Sequence, residues 1–151
     1  MKRVVWSIGF FVIGFGIAFF AESFFRNQIQ HLFQWTTNNK IQFSGKSFYL
    51  FGDPFYYISF GVSSLILGLA NLYQLTFNIF TNIIVYILLF VIVLILISTI
   101  DANLKVMECT TCQNEIKMIN RNEINYALIL ILSISITSIP NIWRLIFSKD
   151  L

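Results

Sequence analysis

Residues 79–100 read Ile79-Phe80-Thr81-Asn82-Ile83-Ile84-Val85-Tyr86-Ile87-Leu88-Leu89-Phe90-Val91-Ile92-Val93-Leu94-Ile95-Leu96-Ile97-Ser98-Thr99-Ile100. The run holds no charge, no glycine and no proline, and as a helix it is long enough to cross a hydrocarbon layer of roughly 30 Å. It is read as a transmembrane span, and the rest of the chain is organised around it. The composition points the same way. The 151 residues are 57% hydrophobic and 11% charged, with 17 Phe and a mean hydropathy of +0.76. Soluble domains carry about 25% charged residues, so a water-soluble fold of this size has nowhere to hide so much apolar surface.

Three more stretches have the length and polarity of spans: Val4 to Ala21, Phe55 to Tyr73 and Tyr126 to Phe147. The expected fold class is therefore an all-α membrane protein, a single polytopic domain over 1–151 with four transmembrane helices and a small extramembrane loop region. Met1-Lys2-Arg3 ahead of an apolar run also fits a secretory signal, but Phe19-Phe20-Ala21 places Phe where a cleavage site needs a small residue, so the first span is read as uncleaved. Ser7, Gly14, Ala18 and Ala21 recur on one face of it, and Gly61, Ser64, Gly68 and Asn71 on one face of the second. Such smooth faces let backbones approach closely, and Gly14, Ala18, Gly61, Ser64 and Gly68 are the expected helix-packing positions between these two spans.

The loops carry the remaining signals. In the first, 22–53, Phe25, Ile29, Leu32 and Phe33 oppose Arg26, Asn27, Gln30 and Gln34, the pattern of an amphipathic helix lying on a bilayer surface with Trp35 at headgroup depth. Gly45-Lys46 between two β-prone runs predicts a hairpin over 41–50. Asp53-Pro54 is a helix start, with Asp as cap and Pro in the first turn. Gln74 to Asn78 is short and uncharged, which predicts a tight helical hairpin between the second and third spans. The second loop, 101–125, holds both cysteines in Cys109-Thr110-Thr111-Cys112.

Four spans put both termini on one side and both loops on the other. The terminal side holds Lys2, Arg3, Arg144 and Lys149 against Asp150, while the basic residues of the loops are matched in number by acidic ones. The density of positive charge places the termini in the cytoplasm of a cell (inner) membrane and the loops outside, although by raw count the loops hold more Lys and Arg. An external loop is oxidising, so Cys109 and Cys112 are the disulfide or redox candidates.

The CxxC on a four-span layout resembles that of the membrane enzymes passing electrons from thiols to quinone, of the bacterial disulfide-generating and vitamin K epoxide reductase types. That resemblance implies a thiol–disulfide oxidoreductase, but those enzymes relay between two cysteine pairs and this chain has one. Val106 to Ile116 also resembles half of a zinc ribbon, and structural zinc wants four ligands where one CxxC supplies two. A structural disulfide or two idle thiols is the third reading of the pair.

In the fourth span, Ser133, Thr137, Asn141 and Arg144 fall on one polar stripe beside Pro140, the most polar face expected within the membrane. No carboxylate or histidine lies deep in any span, where an ion-coupled carrier would need one. There is no nucleotide loop, no HExxH and no basic cluster suited to nucleic acid. Neither an enzyme nor a cofactor or metal protein is expected. The sequence points by elimination to a structural or accessory subunit of a membrane protein complex, its partners being the lipid bilayer and other membrane subunits or copies of itself. The alternative is a self-assembling small channel, transporter or membrane-acting effector.

Overall fold

The computed structural model describes residues 2–46, 53–73, 78–108 and 116–147. Within them the chain is mostly helical. The order is α1 (Lys2–Phe20), α2 (Glu22–Thr36), β1 (Ile41–Ser44), α3 (Pro54–Tyr73), α4 (Ile79–Met107), β2 (Lys117–Asn120), a short 3-10 turn (Arg121–Glu123) and α5 (Tyr126–Phe147). Three helices, α3, α4 and α5, are each long and apolar enough to cross a membrane. The fourth candidate is α1 together with α2, a pair bent by 59° at Ala21.

The bend keeps its hydrogen bonds. Ala21 N donates to Ile17 O and Phe25 N to Ala21 O, each at 2.9 Å, while Ala21 itself sits at φ −93°, ψ 4°. That sparsely allowed region turns the axis without breaking the chain of bonds. Beyond it α2 does not spread its apolar face on lipid. Ile29 and Phe33 are completely buried, and α2 packs along α4. The wall is available because α4 runs on past Ile100 to Met107, about 43 Å at 1.5 Å per residue, well beyond the hydrocarbon thickness. At that end Ser98 and Ala102 lie on its buried face.

Thr37 Oγ1 donates to Phe33 O and closes α2, after which Asn38 and Asn39, both with left-handed φ (51° and 60°), turn the chain into β1. A strand does form at 41–44, but its partner among the described residues is β2, in parallel, with Ile41 opposite Lys117, Gln42 opposite Met118, Phe43 opposite Ile119 and Ser44 opposite Asn120. The second arm of the expected hairpin, 47–50, lies outside the described residues. The parallel pair ties the two loops together and buries Ile41 and Ile119 over Phe33 and the ends of α4 and α5. Isolated two-stranded pieces are marginal, and this one is anchored by that apolar underside. Lys117 reinforces it by donating to Lys105 O at the end of α4.

The helices do not follow sequence order in space. α3 packs against α1 on one side and α5 on the other, and α4 packs against α5 and α2. The backbones of α3 and α4 approach closely only over a short stretch, and α5 packs against both, while Tyr86 and Asn82 of α4 still bond directly to Ser63 and Asn71 of α3. The reason is side-chain chemistry: α1 and α5 each offer α3 a small or polar face, and α4 offers mostly bulky aliphatic surface. The connection of the expected tight hairpin between the second and third spans, 74–77, lies outside the described residues.

Candidate functional site

Three features bring chemistry-bearing residues together. The first is the elbow between α1 and α2. Glu22 is 3% exposed, and its carboxylate accepts the Tyr57 phenolic proton (Oε2, 2.8 Å) and faces the Arg26 guanidinium (Oε1, 3.5 Å). Arg26 also stacks over the Tyr126 ring, 5.6 Å from its centroid, and Gln30 Nε2 donates to the Tyr126 hydroxyl at 2.8 Å. Tyr56 donates to Ala18 O at 2.9 Å. Four elements thus meet on one buried, charge-balanced cluster, as a buried ion pair requires. Just below, the rings of Phe25, Phe60 and Phe90 sit within 5.7–6.0 Å of one another, a distance at which aromatic rings attract.

The second feature is a set of polar chains between α3, α4 and α5. Ser138 donates to Ile134 O, so its oxygen accepts from Ser63, and Ser63 in turn accepts from the Tyr86 hydroxyl. Toward the other end, Arg144 Nη1 donates to Asn82 Oδ1 (3.2 Å) and Asn82 Nδ2 to Asn71 Oδ1 (2.7 Å). Of the polar stripe on α5, Ser133 and Thr137 are fully buried and bond back to Ile129 O and Ser133 O, both at 2.7 Å. Asn141 is buried, and Arg144 reaches α4. Ser63, Ser138 and Asn82 escaped the sequence reading because each follows or precedes another polar residue (Ser64, Thr137 and Thr81), so the stretch does not say which of the two faces a neighbouring helix, while Tyr86 reads as one more aromatic in an apolar run. The usable signal is only that a polar group in a span needs a partner.

The third feature is the α1–α3 contact and a cleft beside it. A β-carbon on Gly14 would lie 2.5 Å from Phe60 O and from Ser64 Cβ. One on Gly61 would meet the Phe11 ring at 2.7 Å, and one on Gly68 the Phe10 ring at 2.4 Å. Ala18 is fully buried. By contrast Gly9 and Gly16, on the same helix as Gly14, face open space. Where the backbones of α3 and α4 stay apart, an apolar cleft of about 390 Å³ opens beside them, with Gly14, Phe24, Phe25, Tyr86 and Phe90 among its walls.

Cys109 and Cys112 lie outside the described residues. His31 is exposed on α2. Among the described residues no group of three His, Cys, Asp or Glu side chains is placed to hold a metal. Compared with protein-family models, with curated proteins and with solved structures, the chain matches none.

Proposed function

We propose that this chain is a four-pass protein of a cell (inner) membrane, crossing it with α1, α3, α4 and α5, and that it serves as a structural or accessory subunit beside other membrane proteins. Its termini face the cytoplasm, and the joined loops 22–53 and 101–125 form an external cap. The observation that supports this reading is where the polar groups are spent. Tyr86, Ser63 and Ser138, and Arg144, Asn82 and Asn71, bond to one another and hold three helices together, while the outward surfaces of α1 and α4 are large and apolar. Trp6, Val12 and Ile13 on α1, and Leu88, Ile92 and Leu96 on α4, are all more than half exposed. Such surfaces suit lipid or a neighbouring subunit. Gly9 and Gly16, open on α1, would let a partner helix come close.

The alternative, a self-assembling channel or transporter, draws on the same outer face of α1 as a contact between copies. The test is purification of tagged protein from its own membranes in a mild detergent, followed by reconstitution. A different protein at fixed stoichiometry, and vesicles that hold their solutes, support the subunit. A homo-oligomer that passes solute would replace it with the channel.

A further inference from the structure

At the loop-side end of the bundle a second groove, of about 330 Å³, runs between α4 and α5. Its walls are apolar, including Ile97, Leu128 and Leu132, and its rim carries Asp101, Lys105 and Glu123. These three charges differ from the others nearby. Glu22 and Arg26 are paired across the elbow, and Lys117 faces Glu108, but among the described residues Asp101, Lys105 and Glu123 make no ion pair or side-chain hydrogen bond. Leu128 and Leu132 are about half exposed, so the groove opens sideways, toward the bilayer if α4 and α5 are spans. Asp101 is the first charge after the 22-residue apolar run of α4, which sets the rim at headgroup depth.

We propose that this groove holds one phosphatidylethanolamine molecule, with its ammonium between Asp101 and Glu123, its phosphate against Lys105 and an acyl chain along Ile97, Leu128 and Leu132. The charge pattern selects that headgroup. Two carboxylates with one ammonium repel a lipid of net negative charge, and they match a zwitterion whose amine can donate hydrogen bonds to both. A choline headgroup has the same charge but no N–H to donate, so it forfeits the charge-assisted bonds. The proposal rests on membrane embedding and not on the accessory role.

The test uses the full chain in bilayers of equal parts phosphatidylethanolamine, phosphatidylcholine and phosphatidylglycerol, extracted in mild detergent, with retained lipid identified by native mass spectrometry. One ethanolamine lipid should stay bound, favoured at least about tenfold over choline lipid, the ratio that the loss of even one of the two charge-assisted bonds would give. The paired isosteric change Asp101→Asn with Glu123→Gln should erase that preference, and Leu132→Trp, which fills the groove, should remove the bound lipid altogether. Equal retention of the three lipids, a preference for phosphatidylglycerol, or an ethanolamine preference that survives the paired change would each overturn the site while leaving the membrane reading intact. Recovery of the chain from the aqueous fraction would overturn both.

Discussion

Tyr57 on α3 gives its phenolic proton to Glu22 on α2 across 2.8 Å, and so pins the bend between the first two helices to the helix that packs beside them. Glu22 also faces Arg26, and the two side chains are 4% and 13% exposed. Removing one member of such a pair strands the other, whereas replacing both with apolar groups of similar size is often tolerated. Glu22→Leu should therefore lower stability by about 3–5 kcal/mol. Tyr57→Phe, which removes one hydrogen bond to a charged group, should cost about 1.5–3 kcal/mol, and Glu22→Leu combined with Arg26→Leu should recover much of the loss. Thermal melts in one detergent compare the three, and a double variant as weak as Glu22→Leu would contradict the pairing.

The glycines of α1 are expected to divide by face. Gly14→Leu should lower the melting temperature sharply, because its first added carbon already collides with the backbone of Phe60, which has no side-chain freedom to move aside. Gly9→Leu and Gly16→Leu meet open space and should leave the melt of the isolated protein unchanged. If α1 carries the partner contact, the same two changes should weaken copurification of the partner.

The parallel pairing of the loops is open to a direct chemical check. Gln42 and Met118 sit opposite each other on neighbouring strands, whose spacing of about 4.8 Å lies within disulfide reach. With Cys109 and Cys112 replaced by Ser, Gln42→Cys with Met118→Cys should cross-link under mild oxidation. A pair that stays reduced under the same oxidation would contradict the parallel register.

For the native cysteines, an external loop predicts that a membrane-impermeant maleimide labels intact cells only after reduction. Labelling that needs lysis would put Cys109 and Cys112 in the cytoplasm and reverse the orientation. It would also shift the reading of the pair toward zinc. Because the enclosed loop is so short, a bond there should add little stability, and reduction should move the melt by no more than a degree or two, on the order expected for weak entropic constraint.

What the sequence determined by itself was the solvent: the apolar runs over α3, α4 and α5 are local properties, and a run that long and that uncharged can be read without knowing its neighbours. The cap of α3 was equally local, since Asp53 Oδ1 accepts from Phe55 N at 2.9 Å, two residues away. Placement was decided only by the tertiary structure. Periodicity showed that α2 has an apolar face, but lipid and protein look alike to that signal. Only the extension of α4 to Met107 made a protein wall for Ile29 and Phe33. The strand at 41–44 was legible and its partner was not, because pairing across 76 positions, from Ile41 to Lys117, leaves no mark in either segment alone. For the same reason the bonds among Ser63, Tyr86 and Ser138, and the meeting of Asp101 and Lys105 with Glu123, come from helices that are distant in sequence and neighbours in space.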